Sequence, residues 1–289
     1  MISLKNKIQQ TAKNKKLPQH VIEKDYALSY VLAGIASEPT LNQALVFKGG
    51  TALKKIFFGD YRFSEDLDFS TINAPKGSEL ITSLTNALKE SEKLLNQYGP
   101  FTITLNRPPE SAPHPQGQET FRAYVIFPWQ STAAPCKIKI EVTHDEPVVE
   151  TPVIKPILHG YDESFEYFVS TYHIEEIIAE KMRCLLQTHE KLVTPGKWTR
   201  PRARDYYDLW HVLKKYGSSV NKQRLNGILI AKCNHRNISY EDINSFFTPE
   251  LKNEAEKHWI PTLQNLVNSL PPCDLVLAET KKLIFELIS

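Results

Sequence analysis

The sequence predicts an α+β fold: a mixed sheet core with an N-terminal helix ahead of it, followed by a mostly helical C-terminal half. Three observations carry this reading. Apolar residues recur at helical spacing between about 18 and 36. Short apolar runs of strand length, separated by turn residues, extend to about residue 150. After Thr171 the periodicity is helical.

The elements follow in order. Pro18 sits at a first-turn position, and Val21, Ile22, Leu28, Val31 and Leu32 give the following helix an amphipathic pattern. Leu45-Val46-Phe47 is a short strand that breaks at Gly49-Gly50, and Leu67-Asp68-Phe69 is another. From Ser78, a suitable N-cap, Leu80, Ile81, Leu84, Leu88, Leu94 and Leu95 recur at helical spacing to about Gln97. Three strands are expected at Phe101–Leu105, Phe121–Phe127 and Cys136–Val142, with a loop around Pro108, Pro109, Pro113 and Pro115. The proline-spaced stretch from Pro147 to Pro156 is expected to end the sheet. Helices are expected at about Tyr172–Thr188 and Arg202–Tyr216, with more to the C-terminus.

Composition excludes several classes. The chain has 289 residues, which suggests one or two domains. Its hydrophobic content of 41% is enough for a core without metal or disulfide staples. No apolar run is long enough for a transmembrane helix, so no membrane partner is expected. The start of the chain has charge but no apolar h-region. Cys136, Cys184, Cys233 and Cys273 are scattered without zinc spacing and read as reduced, buried thiols of a cytoplasmic protein.

The chemistry concentrates in two neighbouring segments, Phe47-Lys-Gly-Gly-Thr-Ala-Leu and Tyr61-Arg-Phe-Ser-Glu-Asp-Leu-Asp-Phe. On a strand, Asp66 and Asp68 project to the same face, where two carboxylates repel unless a cation lies between them. Mg²⁺ suits such a pair, since it takes one or two carboxylates and leaves other positions to water and phosphate. Glu141 offers a third carboxylate, sharing a strand face with Lys137 and Lys139. Gly49-Gly50-Thr51 allows close approach of an anion to the backbone, and the Thr51 hydroxyl is a donor for a phosphate oxygen. Taken alone, a Gly-Gly-Thr is usually a turn and an Asp-x-Asp a solvated strand edge. The pattern GxxxxGK[ST] is absent, which argues against a P-loop NTPase.

Together these blocks resemble the nucleotidyltransferase superfamily, marked by Gly-Ser or Gly-Thr followed by Asp-x-Asp. With Ile22-Glu-Lys-Asp25 upstream and Arg62-x-Ser64-Glu65-Asp66-Leu67-Asp68-Phe69, the chain resembles the AbiEii family, abortive-infection toxins of toxin–antitoxin pairs related to the MenT toxins. Thr51 stands where many superfamily members carry Ser. The resemblance spans about residues 18 to 215. It implies a nucleotidyltransferase-like core over 1–160 and a helical domain over 161–289 that completes the active site.

Two later blocks extend it. Lys181 lies on the apolar stripe of Ile174, Ile177, Ile178, Met182 and Leu185, where a lysine is expected to be paired, bound to an anion, or snorkelling at the stripe's edge. The resemblance makes Lys181 a functional lysine that binds the nucleotide triphosphate. Arg202, Asp205 and Asp208 fit the family's Arg-x-x-Asp-x-x-Asp, with both aspartates on one helix face. Asp205 is preferred as base or orienter for the attacking hydroxyl; a first turn enriched in Asp is the plainer reading.

Charge is unevenly distributed. The total is +2, but residues 171–240 carry +7 and the remainder −5. Lys191, Lys197, Arg200, Arg202 and Arg204 occur without an intervening acid, interleaved with Trp198, Tyr206 and Tyr207. That pattern suits a single-stranded RNA end, or is a solvated loop. The expected activity is Mg²⁺-dependent transfer of NMP from an NTP to RNA, by resemblance the tRNA 3′ end. Gly49, Gly50, Thr51 and Arg62 hold phosphates, and Ser64 lies at the edge of the site. Alternatives are nucleotidylation of a protein hydroxyl, including Ser64 itself, and an inactive module that binds an antitoxin.

Overall fold

The structure is a computed structural model, and it describes residues 3–109 and 117–288. The chain divides into two compact units after Tyr172. The expected loop residues Pro108 and Pro109 lie outside regular structure, whereas Pro113 and Pro115 fall outside the described residues.

The first unit begins with helices α1 (Leu4–Lys15), α2 (Gln19–Ser37) and α3 (Pro39–Ala44). Strand β1 (Leu45–Lys48) runs into α4 (Gly49–Ala52), which continues as a π-helical turn over Leu53–Phe58. Then come β2 (Asp66–Thr71), α5 (Gly77–Leu95), β3 (Thr102–Asn106), β4 (Gln118–Ile126), β5 (Cys136–Thr143), β6 (Val153–Pro156) and β7 (Phe168–Thr171). The strands form one mixed sheet in the order β3-β4-β5-β2-β1-β7-β6, with β2 parallel to β5 and antiparallel to β1.

One sheet face is apolar. Phe47, Leu67, Phe69, Phe121, Ala123, Val125, Ile138, Ile140 and Val142 are wholly buried there, beneath α2 and α5. Register and two-residue alternation put Lys48, Asp66, Asp68, Lys137, Lys139, Glu141, Thr120, Arg122 and Tyr124 on the other face.

Several expectations need correction. Helix α2 is not amphipathic: from Val21 to Ala36 only Lys24 escapes burial. Its surroundings explain this, since α1, α5 and the sheet pack on different sides of it. A Cβ on Gly34 would lie 2.0 Å from the Ser91 hydroxyl oxygen, so glycine permits the close crossing of α2 and α5. Ser78 does not cap α5. The helix starts one residue earlier, and the Gly77 amide donates to the Glu119 carboxylate of β4. The sheet also continues past Pro147, through β6 and β7; Pro156 is tolerated because β6 is an edge strand. Of the four cysteines, all free, only Cys233 is fully buried.

The second unit is helical: α6 (Ile174–Leu192), α7 (Ala203–Tyr216), α8 (Lys222–His235), α9 (Pro249–Leu263) and α10 (Cys273–Ile288). Ile177, Ile178, Met182 and Leu185 of α6 and Leu209 and Val212 of α7 are buried, as the stripes predict. Among the described residues no helix is long and apolar enough to cross a membrane.

Candidate active site

The turn after β1 holds two glycines for two steric reasons. Gly49 has φ +78, and a Cβ there would lie 2.4 Å from Asp68 Oδ2. A Cβ on Gly50 would lie 2.4 Å from the Arg62 guanidinium and 3.4 Å from Ser64 Oγ. The turn therefore presses directly on the carboxylate of Asp68, on Arg62 and on Ser64. The Thr51 hydroxyl, itself buried, donates to the backbone carbonyl of Asp66 and pins the helix start to β2. In this geometry its donor is directed at β2.

Asp66 and Asp68 are both half-exposed on the polar face of β2. Pairing sets Asp66 beside Lys139, and Asp68 between Lys48 and Glu141. Glu141 is buried, accepts from Gln118 Nε2 and pairs with Lys139. Among the described residues no group of three or more His, Cys, Asp or Glu side chains is arranged to hold a metal ion. What remains is a two-carboxylate set beside the glycine turn, with Glu141 engaged by Lys139 and Gln118.

Behind the turn lies a buried ionic cluster that the sequence reading did not anticipate. Lys55 Nζ is 2.9 Å and Lys54 Nζ 3.9 Å from Asp25 Oδ1, and the Tyr161 hydroxyl donates to Asp25 Oδ2 at 3.1 Å. Burial pulls the Lys55 amine down to about 8 against the attraction of Asp25. Burial works to raise Asp25, but Lys55 and Lys54 outweigh it and hold the carboxyl low. Lys54 also donates to the carbonyls of Gly59 and Tyr61 and lies 4.1 Å from the Phe63 ring centroid, bracing the loop that carries Arg62. Arg62 is buried as well, beside Gly50, and donates to the Phe63 carbonyl. The available signal was Lys54-Lys55 inside the otherwise apolar run Leu53-Lys-Lys-Ile-Phe-Phe.

The helical unit assembles the later blocks. Lys181 is 8% exposed and lies 2.8 Å from Asp205 and 2.7 Å from Asp208. It is therefore paired and does not snorkel. Arg202 pairs with Asp205 at 3.2 Å and donates to Thr188. Burial works to raise the Asp205 carboxyl, but Lys181 and Arg202 prevail and hold it below its ordinary 3.8. Asp208 has no solvent exposure. On the opposite side of α6, Glu176 and Glu180 hold the buried Lys232.

The basic segment is narrower than the sequence implied. Arg204 donates to the Thr262 carbonyl and Arg202 belongs to the aspartate cluster. Tyr206 and Tyr207 are core residues, so neither is a stacking surface. Trp198 is 79% exposed, in the loop that also carries Lys197 and Arg200.

The fold has solved counterparts. The nucleotidyltransferase toxin MenT4 from Mycobacterium tuberculosis H37Rv superposes with a TM-score of 0.64 at 17% identity, over 98% of this chain and 89% of that one. A protein from H. pylori designated a nucleotidyltransferase gives 0.57 at 17% identity, over 94% and 96%. Both likenesses concern the fold. A comparison with curated proteins found no match. The model of the nucleotidyl transferase AbiEii toxin family, type IV toxin–antitoxin system, matches residues 30–280. That span includes the glycine turn, the aspartate strand and the Lys181 cluster, and the chain accordingly belongs to the AbiEii family of nucleotidyltransferase toxins.

Proposed function

We propose that the chain transfers a nucleoside monophosphate from an NTP to the 3′ hydroxyl of an RNA acceptor, the tRNA 3′ end, and thereby blocks translation. The observation that supports this most is the close approach of the glycine turn to Asp68 and Arg62, which sets a side-chain-free backbone turn and a guanidinium beside a carboxylate pair. Asp66 and Asp68 would hold Mg²⁺, a fit to their donor chemistry and half-exposed position. When bound, the ion neutralises phosphate charge and orients the nucleotide. Gly49, Gly50 and Arg62 form the phosphate cradle, and Thr51, whose hydroxyl is held by the Asp66 carbonyl, fixes the turn that carries it. The acceptor hydroxyl gives its proton to water as its oxygen bonds to the α-phosphorus, the α–β phosphoanhydride bond breaks, and pyrophosphate leaves.

Lys181 is assigned to the nucleotide and Asp205 to the acceptor. Asp205, held ionised by two cations, is a weak base, and its role is to orient the hydroxyl. Lys191, Lys197 and Arg200 are assigned to RNA backbone contact. The family supplies a cognate antitoxin as a further partner.

Incubation with α-labelled NTPs, Mg²⁺ and total RNA tests the reading. Label on RNA, lost in Asp66→Ala, supports it; no label on RNA, or equal labelling by the variant, overturns it. One observation favours a second reading, transfer to a protein hydroxyl: Ser64 Oγ lies against Gly50. Label on protein and none on RNA would establish that instead.

A further inference from the structure

The polar face of the sheet is chemically polarised. The strand pairing sets Asp66 beside Lys139, Lys139 beside Arg122, and Arg122 beside Asn106. Two residues along, Lys137 lies beside Tyr124, and Tyr124 beside Thr104. Two adjacent rows therefore carry three cations, one aromatic ring, one amide and one hydroxyl, leading away from the carboxylate pair. All six of these side chains are at least partly exposed. Arg122 has no ion-pair partner among the described residues. Lys137 Nζ lies 5.7 Å from the Tyr124 ring centroid, a cation set over an aromatic face. Among the described residues of β3, β4 and β5, the one acid on this face is Glu141, at the end nearest Asp68.

Stability does not explain this arrangement. The opposite face of the same strands supplies the core through Phe121, Ala123, Val125, Ile138 and Ile140. A merely solvated face alternates signs, because like charges side by side repel. Here Lys139 and Arg122 are direct neighbours across the strands. Glu141 pairs with Lys139 but leaves Arg122 and Lys137 for a polyanion, and a half-exposed ring among cations is the equipment for a stacked base on a phosphate backbone. Strands lie about 4.8 Å apart, so Arg122, two strands from Asp66, is about 10 Å from it.

We propose that this half of the face is the track on which the acceptor RNA lies, with backbone phosphates on Arg122 and Lys137 and a base stacked on Tyr124. The strand's terminal hydroxyl is thereby delivered to Asp66 and Asp68. The proposal rests on the reading that the acceptor is RNA, and it adds where the strand binds. An unpaired end is favoured, because only unstacked bases offer a face to the ring.

The test measures label transfer by the full-length chain at varied RNA and salt. Arg122→Gln combined with Lys137→Gln should raise the acceptor KM at least about tenfold. It should also flatten the dependence of log affinity on log salt by about 1.4, or 0.7 for each lost phosphate contact. The KM for NTP should stay within about twofold. Tyr124→Ala should weaken the acceptor about tenfold and Tyr124→Phe should restore it, a pattern that loss of a hydroxyl alone does not give. Unchanged acceptor KM and salt slope in the double variant overturn the track. So does a case in which Lys191→Gln with Lys197→Gln shifts both and the sheet variant shifts neither. Failure of the wild-type chain to label any RNA is a different result: it overturns the acceptor reading itself.

Discussion

Two aspartate pairs in this molecule have opposite designs. Asp66 and Asp68 are two apart on a strand, half-exposed, and abut a glycine turn. Asp205 and Asp208 are three apart on a helix, and they close on Lys181 with Arg202 beside them. Under the proposed function the first pair receives a cation and a phosphate. The second is bound to Lys181 of α6 and to Arg202 of the turn before α7. The same residue type at nearly the same spacing thus gives a half-exposed strand edge in one unit and a salt-bridged cluster in the other. Exposure and neighbours decide which, not the motif alone.

The largest expected effect separates the pairs by activity. Asp68→Ala should reduce nucleotidyl transfer at least about 10³-fold, since it removes half of the carboxylate set that neutralises charge on the nucleotide. Its unfolding free energy should change by less than about 1 kcal/mol, because the side chain is half-exposed. Steady-state transfer and urea unfolding check both halves, and a large stability loss would erase the contrast.

Next is Asp208→Ala, which leaves Lys181 buried with one carboxylate fewer. Breaking a buried pair in this way should cost about 3–5 kcal/mol in denaturant unfolding. A smaller cost, with transfer abolished, would place Asp208 among the catalytic residues and not the structural ones.

A smaller effect is expected from Gly50→Ala. The added methyl meets the far end of the Arg62 side chain, which must shift. The KM for NTP should rise about tenfold, with kcat changed less. An unchanged KM would remove Arg62 from the phosphate cradle.

The smallest effect concerns pH. Burial works to raise Asp205, but Lys181 and Arg202 hold its folded carboxyl below the ordinary 3.8. A depressed carboxylate contributes stability that is fully present above its unfolded value and is lost as pH falls through the folded one. Acid unfolding of the chain should therefore include a contribution below about pH 4 that Asp205→Asn removes. An identical acid limb in the variant would contradict the clamp.

The strand and helix alternation was legible where periodicity is strong. β1, β2, β5, α6 and α7 lie close to their expected places, because each combines a clear apolar pattern with turn residues at its ends. The burial of α2 was not legible, because it depends on what packs around the helix. Nor were β6 and β7, since four-residue strands containing or bordering polar residues carry little periodicity. At the site, two-residue alternation was enough to put Asp66 with Asp68, and Glu141 with Lys137 and Lys139; that both sets share one sheet face comes from the β2–β5 register. It could not reveal that Gln118 and Lys139 engage Glu141. The Asp25–Lys55 pair spans 30 residues of sequence and left no local pattern; only the tertiary fold brings it together. The stacking expected of Tyr206 and Tyr207 failed for the converse reason: proximity in sequence to cations says nothing about burial.

The most direct test of the central claim is single-turnover transfer of an α-labelled NTP to RNA by the wild-type chain and by Asp66→Ala, each with Mg²⁺ and with EDTA. The account predicts labelled RNA only from the wild-type chain with Mg²⁺, with the variant at least about 10³-fold slower. Equal labelling by the variant, or undiminished wild-type labelling in EDTA, would contradict it.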